Sequence, residues 1–516
     1  MAAKSYKPFD CNLLDNLGVP IKNLVADSRM IRPGDTFLAY AGEKSDARQF
    51  IPQAIAAGAN AVIWERHNFV WNPDWKLPAL PVTDLQAKAG LIANHVYGYP
   101  SQKLWLVGIT GTNGKTSCSH WYAQAMAILQ NKTGVMGTLG NGYPDRLEAT
   151  INTTSDAILL QQRMAEFLQQ DAGNVVMEVS SHGIVQGRIN GVTFAVAVLT
   201  NLSRDHLDYH GNMDAYAAAK ARLFFWPGLR YAVLNLDDIL GVELSRQLAS
   251  KPTKVIGYGF RQSEIAERYS NKFQMVRGSN LRMDIHGLAF DVEFEGNNGR
   301  LEIDLVGKFN ASNLLAVLAV MLASGIRFSD SIQALQQVRP IPGRMEKLGG
   351  VGQPVVIVDY AHTPDALEKV LTALREIMHL SERRPTSVTL NAKLFCVFGC
   401  GGERDQGKRK LAGEVTTRLA DEVIITSDNP RCEDARVIID DIVAGVIPGV
   451  NYYVEENRAL AIYQAIYSAR KGDVVLIAGK GHEMYQEVNG RKLPFSDSQI
   501  ALQVLQDLAN GAQVPA

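Results

Sequence analysis

The stretch that decides the fold is residues 106–117, which read LVGITGTNGKTS. The apolar run at 104–109 predicts a buried strand, and the apolar spacing over 117–129 predicts a helix. A glycine-rich turn between them lets backbone N–H groups close around phosphate oxygens at the positive end of the helix. Lys115 adds a point charge, and the hydroxyl of Thr116 is placed to ligate magnesium. This segment therefore predicts a phosphate-binding loop.

The loop departs from the usual pattern at one position. The spacing G-x-x-x-x-G-K-[ST] would place glycine at position 109, where this chain has Ile109. A glycine-rich turn that binds nothing is the alternative, but strand, loop, Lys-Thr pair and helix occur together here. We predict a variant loop whose nucleotide contacts come from Gly111, Thr112, Asn113, Gly114, Lys115, Thr116 and Ser117.

The composition indicates a globular protein of several domains. The chain has 516 residues, of which 46% are hydrophobic and 20% are charged, and its formal net charge is −1. A domain usually has roughly 100 to 200 residues, so we expect about three. The balanced charge argues against a global field that would recruit nucleic acid or a membrane surface.

We expect neither a targeting segment nor a redox motif from the sequence. The first twelve residues lack the apolar core of a secretory signal, and the longest apolar tract, 314–323, is too short to cross a bilayer. Five cysteines without a CxxC pair favour reduced, buried thiols. We expect a cytoplasmic monomer whose partners are small molecules, with neither nucleic acid nor membrane among them.

Strand-like apolar runs alternate with helical segments, which predicts an α/β fold with parallel sheets and ligands at the strands' carboxyl ends. We expect a small N-terminal α/β domain (1–98), a central P-loop parallel-sheet ATPase domain (99–338) and a C-terminal Rossmann-like domain (339–516). The predicted strands are at 23–26, 36–39, 61–64, 175–179, 195–202, 231–236, 355–358, 394–398, 422–426, 451–454 and 474–478. The polar stretch 381–393 predicts a solvated loop.

Polar residues follow two predicted strands of the central domain. Glu178 closes one strand and His206 follows the next, so we expect them at adjacent strand ends near the phosphates. A carboxylate and an imidazole with the hydroxyl of Thr116 suit magnesium better than zinc, because no thiolate is nearby. A lone histidine in a loop is more often structural, which is the alternative.

Lys220 lies in a helical segment between aromatic residues. At helical spacing Tyr216, Lys220 and Phe224 share one face. Desolvation lowers the pKa of a lysine, and a free amine can take up carbon dioxide to become a carboxylate able to face magnesium. The alternative is an ordinary lysine whose stem packs on the rings while its ammonium reaches water.

Three polar stretches follow predicted strands of the C-terminal domain, at 399–404, 428–431 and 479–483. Arginine is a fork donor suited to a carboxylate, and Arg431 and Arg404 occur here with Glu483. Two arginines and one glutamate at neighbouring strand ends would match a zwitterionic amino acid. Turn residues with surface ion pairs are the alternative.

These stretches together resemble the Mur ligases, the ATP-dependent amino-acid-adding enzymes of peptidoglycan synthesis, over essentially the whole chain. The matching segments are 111–116 (GTNGKT), 178–182 (EVSSH), 201–206, 310–313 (NASN), Gly343-Arg344 and 359–364 (DYAHTP). The segment 428–431 (DNPR) is similar to that of members that add meso-diaminopimelate, not lysine, to UDP-N-acetylmuramoyl-L-alanyl-D-glutamate. The resemblance implies an acyl-phosphate intermediate, with ATP as co-substrate and Mg²⁺ as cofactor.

The resemblance also implies residue roles. For ATP it adds Asn313, Arg344 and Asp359 to the loop residues. It assigns one magnesium to Thr116 and Glu178, a second metal to His206 and a carbamylated Lys220, and catalytic roles to Lys115, Glu178, His206 and Lys220. For the uridine half it implies Ser28, Glu43, Lys44 and Ser45. For the muramoyl peptide it implies Asn152, Thr153, Thr154, Ser180, Gln186 and Arg188. For the amino acid it implies Arg404, Asp428, Asn429, Pro430, Arg431, Gly479 and Glu483.

Three alternatives share the phosphate-binding loop. Arg431 argues against a lysine-adding homologue, because a guanidinium repels the bare ammonium of lysine. The N-terminal domain argues against a folylpolyglutamate-type ligase. A P-loop ATPase that is not a ligase would release phosphate without any amino acid.

Overall fold

The computed structural model describes residues 9–42, 45–261, 273–284, 287–350, 352–382 and 392–510. The predicted uridine-loop residues Glu43 and Lys44 lie outside this part of the chain. Two compact units divide the described residues. The first takes in the residues up to Arg277, Glu293–Asn297 and Asn313–Leu335, and the second takes in Gly278–Val292, Asn298–Ser312 and the residues from Gln336 onward.

The regular elements are as follows. The strands in the described residues are β1 (Leu24–Val25), β2 (Thr36–Ala39), β3 (Ala61–Glu65), β4 (Ala79–Val82), β5 (Trp105–Thr110), β6 (Thr133–Gly137), β7 (Gly140–Tyr143), β8 (Arg146–Glu148), β9 (Asn174–Glu178), β10 (Val196–Leu199), β11 (Tyr231–Asn235), β12 (Lys254–Gly259), β13 (Phe273–Asp284), β14 (Gly287–Phe294), β15 (Asn297–Ile303), β16 (Glu346–Gly349), β17 (Val355–Asp359), β18 (Leu394–Phe398), β19 (Glu422–Ile425), β20 (Tyr452–Val454), β21 (Val474–Ala478), β22 (Tyr485–Val488) and β23 (Arg491–Pro494). The α-helices are α1 (Ile51–Ala56), α2 (Leu85–Val96), α3 (Pro100–Lys103), α4 (Lys115–Ile128), α5 (Ala157–Gln169), α6 (Ser181–Val185), α7 (Leu207–His210), α8 (Met213–Ala221), α9 (Ile239–Leu248), α10 (Lys308–Ala323), α11 (Phe328–Leu335), α12 (Pro364–Glu382), α13 (Gly407–Leu419), α14 (Ala435–Val443), α15 (Arg458–Ser468) and α16 (Asp497–Ala509).

The N-terminal sheet is parallel, with the strand order β1-β2-β3-β4. Every residue of β2 is buried, because its sheet is covered on both faces. Full burial of a side chain such as Phe37 or Leu38 contributes about 1.5–3 kcal/mol. The helix α2 packs against α5 of the central region.

The central sheet places the phosphate-binding strand between two parallel neighbours. Its strand order is β15-β14-β13-β12-β11-β10-β5-β9-β6-β7-β8, and β5 pairs in parallel with β9 and β10. The prediction that Glu178 and His206 lie at adjacent strand ends is wrong, because β5 separates β9 from β10. Both segments instead flank the carboxyl end of β5.

The C-terminal sheet has the strand order β16-β17-β21-β18-β19-β20. The five predicted strands are confirmed and are parallel to one another. The strand β16 was not predicted and pairs with β17 in the antiparallel direction. Separate apolar clusters cover the two faces of this sheet. The predicted loop at 381–393 is wrong at its start, since α12 continues to Glu382, and 383–391 lie outside the described residues.

The α/β fold class with parallel sheets is thus confirmed. No helix among the described residues has the length and apolar character needed to cross a membrane. All five cysteines are unpaired, and three of them, Cys118, Cys396 and Cys400, are buried, whereas Cys432 is exposed.

A substitution at Gly90 of α2 would test how the N-terminal region packs on the central region. A Cβ atom at Gly90 would lie 2.1 Å from the backbone oxygen of Asn190. We expect Gly90→Ala to lower stability by about 1–3 kcal/mol, because the backbone must shift to relieve this overlap. Urea unfolding measures the change. Gly173→Ala is the matched control, since a Cβ there meets nothing within 4 Å, and equal midpoints for the two variants would contradict the packing.

Candidate functional site

The phosphate-binding loop has a backbone that only glycine accommodates. Gly111 and Gly114 have φ values of +148° and +86°, and a Cβ atom on Gly111 would lie 1.8 Å from Thr200 Oγ1. A Cβ atom on Gly114 would lie 2.4 Å from Asn313 Oδ1, so the predicted nucleotide residue Asn313 borders the loop. The N–H of Asn113 donates to Asn201 Oδ1 at 3.0 Å. The loop is therefore held in shape by the segment that follows β10.

Lys115 is the first residue of α4, which follows the loop directly. Its Nζ atom donates to the carbonyl oxygens of Gly111 and Thr112, each at 2.9 Å. The ammonium thus lies beside the N-terminus of a 14-residue helix, where the helix dipole also favours anions. The arrangement fits a triphosphate.

Glu178 lies at the end of β9, where its side chain is 1% exposed. Its Oε2 accepts hydrogen bonds from Thr116 Oγ1 and from Thr138 Oγ1, each at 3.1 Å. The N–H of Thr138 donates to Oε1 at 2.8 Å. Gly137 makes room for this carboxylate, because a Cβ there would lie 2.3 Å from Glu178 Oε1. Two threonine hydroxyls and the carboxylate therefore form one oxygen-rich cluster.

Lys220 is 1% exposed, and its Nζ donates to the Gly111 carbonyl oxygen at 2.8 Å. The same Nζ lies 4.4 Å from the centre of the Tyr216 ring. Burial, followed by the positive charge of Lys115, holds the pKa of Lys220 well below its usual range. The desolvation expected from the sequence is present, and the alternative of an ammonium in water does not hold.

His206 has a left-handed backbone, with φ of +53°, and begins the short helix α7. Burial lowers the pKa of His206, which favours the neutral imidazole. Its ring centre lies 4.8 Å from that of His182, and His210 Nε2 lies 2.9 Å from Ser181 Oγ. Sequence reasoning did not anticipate this group of three histidines.

The oxygen donors at the foot of α4 fit magnesium. Among the described residues, no group of three or more His, Cys, Asp or Glu side chains is arranged to hold a metal. Magnesium usually takes only one or two protein carboxylates and completes its shell with water and phosphate oxygens. The hydroxyl of Thr116 and the carboxylate of Glu178, 3.1 Å apart, are oxygen donors of this kind.

Several residues predicted for the muramoyl peptide converge on Glu178. Thr154 Oγ1 donates to the Glu178 carbonyl oxygen at 2.9 Å and lies 3.0 Å from Ser180 Oγ. Arg188 Nη1 donates to the Thr154 carbonyl oxygen at 2.7 Å. Thr138 Oγ1 lies 3.0 Å from Thr153 Oγ1, within hydrogen-bond distance. Thr138 thus links the predicted peptide segment to the carboxylate, a role that sequence reasoning missed.

The remaining members of this predicted set are less closely joined. Asn152 is exposed and Gln186 is half-buried at the end of α6. Ser28 lies by the N-terminal sheet, where its Oγ donates to Gln53 Oε1 at 3.0 Å, and Ser45 is exposed. Tyr40 was not predicted. Burial and Asp156 raise the pKa of Tyr40 to about 12, partly opposed by Arg188, so this tyrosine of the N-terminal region lies near the peptide segment.

Arg344 and Asp359 belong to the second unit. The carboxylate of Asp359 accepts from the N–H groups of Met345 and Ala361, each at 2.8 Å, and burial raises its pKa. The guanidinium of Arg344 lies 4.6 Å from the centre of the Tyr360 ring. These contacts order the carboxyl end of β17.

A second polar site lies at the carboxyl ends of β21, β18 and β19, which are neighbours in the sheet. Asn429 Nδ2 donates to Glu483 Oε2 at 2.8 Å, and Arg431 Nη1 donates to the Gly402 carbonyl oxygen at 2.6 Å. A Cβ atom on Gly401 would lie 3.0 Å from Arg431 Nη1 and 3.8 Å from Arg404 Cγ, so both arginines border one turn.

The three stretches are therefore brought together, and Asn429 is buried. A Cβ atom on Gly479 would lie 2.6 Å from Asp428 Oδ2, so this glycine permits the close approach of the carboxylate. Arg404 is exposed and Arg431 lies beside Glu487, so the alternative of surface turns with ion pairs describes part of this arrangement but not the buried Asn429.

Two further charged residues of this second site were missed. Lys480 is fully buried beside Glu483, and Glu487 Oε2 lies 3.4 Å from Arg431 Nε. The hairpin of β22 and β23 brings Glu487 there, and its polar sequence gave no strand signal. The GKGHE run at 479–483 was the one clue to Lys480.

Three models of Mur ligase domains match the chain. The Mur ligase family catalytic domain matches residues 20–97, the middle domain matches 109–321, and the glutamate ligase domain matches 343–481. Together they span most of its length.

Individual relatives match over nearly the whole chain. A Nitrosomonas europaea protein named UDP-N-acetylmuramoyl-L-alanyl-D-glutamate--2,6-diaminopimelate ligase is 59% identical over 96% of this chain and 95% of its own. A Chromobacterium violaceum protein of that name is 48% identical over 96% and 97%. A solved structure of a ligase so named is 34% identical, with a TM-score of 0.66 over 95% and 96%. MurF from Acinetobacter baumannii, 18% identical with a TM-score of 0.64 over 97% and 99%, shares the fold.

Lys115 tests the phosphate-binding loop. We expect Lys115→Met to weaken ATP binding by about 10- to 100-fold, because a charge-assisted hydrogen bond contributes roughly 1.5–3 kcal/mol. Titration calorimetry with ATP measures the affinity. Lys251→Met, which removes an exposed lysine of the same unit, is the control. Equal affinities for the two variants would argue against a phosphate contact at Lys115.

Proposed function

The chain belongs to the Mur ligase family, and from that premise we propose that it joins meso-diaminopimelate to the D-glutamate of UDP-N-acetylmuramoyl-L-alanyl-D-glutamate in an ATP-dependent reaction. The observation that carries this proposal is the second polar site, where the stretches that carry Arg404, Arg431 and Glu483 follow three neighbouring strands and Asn429 donates to Glu483. The names of relatives up to 59% identical to this chain support the same substrate.

The first half of the reaction transfers the γ-phosphoryl group of ATP to the D-glutamyl carboxylate. The backbone N–H groups of the loop at 111–117 and the ammonium of Lys115 bind and orient the phosphates, since transfer depends on positioning and on positive charge. Magnesium held by Thr116 and Glu178 would offset the repulsion between the two anions. Asn313, Arg344 and Asp359 are further proposed nucleotide contacts.

The muramoyl peptide is proposed to lie along the residues that surround Glu178. The hydroxyls of Thr153, Thr154 and Ser180 and the guanidinium of Arg188 present polar atoms there. The arginine gives the substrate's carboxylates a cationic partner. Asn152 and Gln186 are proposed further contacts of the peptide, and Ser28 and the 43–45 loop are proposed contacts of the uridine half.

The second half of the reaction is attack by the amine of diaminopimelate on the acyl phosphate, with departure of phosphate. The distal end of diaminopimelate carries both a carboxylate and an ammonium. We assign the carboxylate to Arg431 and Arg404, because guanidinium groups bind carboxylates bidentately. The ammonium is assigned to Glu483. Lysine lacks the distal carboxylate and would offer neither arginine this contact.

Lys220 is proposed to act as a carbamate. Its lowered pKa favours the uncharged amine, and the nitrogen of the uncharged amine can attack carbon dioxide and release one proton to water. The resulting carboxylate, together with the neutral imidazole of His206, would hold a second metal ion. The hydrogen bond from Lys220 Nζ to the Gly111 carbonyl oxygen, at 2.8 Å, supports a position of this group at the phosphate loop.

The cellular setting follows from the substrates. Nucleotide-linked muramoyl peptides and ATP are small water-soluble molecules, so we propose that the protein works in the cytoplasm, in peptidoglycan precursor synthesis. We also propose that it acts as a monomer, since each proposed site is built from residues of one chain.

One assay separates this function from its alternatives. Phosphate release is measured with ATP, Mg²⁺ and UDP-N-acetylmuramoyl-L-alanyl-D-glutamate, together with diaminopimelate, lysine or no amino acid. We expect release only with diaminopimelate, accompanied by a product heavier by one diaminopimelyl residue. Comparable release with lysine would indicate a lysine-adding enzyme, and release without an amino acid would indicate an ATPase that is not a ligase.

Replacement of Lys220 tests the carbamate. We expect Lys220→Ala to reduce turnover by at least 100-fold, because the carboxylate is lost, and expect acetate or propionate to restore part of it. Initial rates with and without the acid measure the rescue, and chloride at equal concentration is the control for ionic strength. Full activity of the variant without added acid would rule out the carbamate.

A further inference from the structure

We propose that Lys480 sets the charge balance of the amino-acid pocket and so makes it select a substrate whose distal end is a zwitterion over one that ends in a bare ammonium. This inference rests on the proposed function and deepens it. It concerns a residue between Gly479 and Glu483 for which neither the charge pattern nor the resemblance predicted a role.

Lys480 is joined directly to the residues proposed to touch the amino acid. Its side chain is 0% exposed, and its Nζ donates to Asn429 Oδ1 at 2.9 Å and to Glu483 Oε2 at 3.0 Å. Asn429 Nδ2 donates to the same Oε2 at 2.8 Å. Two donors thus fix one oxygen of Glu483, and the other oxygen of this carboxylate remains to accept from a substrate ammonium.

Lys480 supplies the positive charge that pairs with Glu483, and Arg431 lies beside Glu487 in the same way. A distal ammonium and carboxylate together add no net charge to these pairs. The bare ammonium of lysine adds one positive charge without the negative charge that accompanies it in diaminopimelate.

A pair of opposite charges is buried beneath the pocket. Arg458 and Asp497 are both 0% exposed, and Arg458 Nε lies 2.8 Å from Asp497 Oδ1. Arg458 Nη2 also donates to the carbonyl oxygen of Ala478, the last residue of β21, at 2.9 Å. Lys480 follows two residues later. This pair therefore supports the loop and adds no net charge. Loss of Lys480 would remove the positive charge beside Glu483 and make the pocket more negative by one charge.

Because Lys480 is buried, its charge has a strong electrostatic effect on the pocket. Charges out of water interact far more strongly than exposed charges at the same distance, because the effective dielectric constant is lower. An excess negative charge beside Glu483 would favour a substrate with a cationic distal end and disfavour one with a carboxylate there. Lys480 is in this sense a positioning and specificity-determining residue that acts through Glu483 and Asn429.

The test compares selectivity, defined as kcat/KM for diaminopimelate divided by kcat/KM for lysine, by phosphate release in the full-length protein. We expect Lys480→Met to lower this ratio by at least tenfold. Lys480→Gln keeps a hydrogen-bond donor but removes the charge, so we expect a similar fall, and this variant serves if Lys480→Met does not fold. Lys492→Met is the matched control, because Lys492 is exposed on β23 with its Nζ 4.2 Å from the Tyr485 ring centre, and its ratio should not change.

The possible outcomes are distinct. If both Lys480 variants lose diaminopimelate and lysine activity by the same factor while the KM for ATP is unchanged, Lys480 only supports the loop and the proposal is overturned. An unchanged ratio in a folded Lys480→Gln variant would overturn it equally. If the unmodified protein releases no phosphate in response to diaminopimelate, the proposed function fails instead.

Discussion

Two lysine side chains converge on one carbonyl oxygen, and the first site depends on that contact. The Gly111 oxygen accepts hydrogen bonds from Lys115 Nζ at 2.9 Å and from Lys220 Nζ at 2.8 Å. Only glycine allows the turn, because a Cβ would overlap Thr200. Burial, followed by the positive charge of Lys115, lowers the pKa of Lys220. The backbone of the phosphate-binding loop therefore also accepts a hydrogen bond from a buried lysine whose charged form is disfavoured.

The second site, which we propose binds the amino acid, presents a different electrostatic problem. An amino acid with charges at both ends requires buried charges of both signs, and an unpaired buried charge is costly. The pocket pairs its charges before any substrate arrives, through Lys480 with Glu483 and Arg431 with Glu487. A substrate that carries one charge of each sign can join such a pocket without leaving a residue unpaired.

Both sites lie at the carboxyl ends of parallel strands, and this common position explains what could be predicted. A parallel strand covered on both faces is a continuous apolar run, so β18 and β21 were predicted with their observed bounds. The strands β7, β16 and β22 carry glycine or polar residues and are only partly buried. They show neither an apolar run nor an alternation, and sequence periodicity did not reveal them.

The amino-acid sequence by itself determined the α/β class, the phosphate-binding loop and the polar stretches at the strand ends, because these depend on residues close together in the chain. The tertiary structure alone decided that Thr138 binds Glu178, that Lys480 binds Asn429, and that β5 lies between β9 and β10. The physical reason is that a hydroxyl, amide or ammonium shielded from water takes the partner that the packed strands bring within hydrogen-bond distance. Strand order, and not sequence separation, selects that partner.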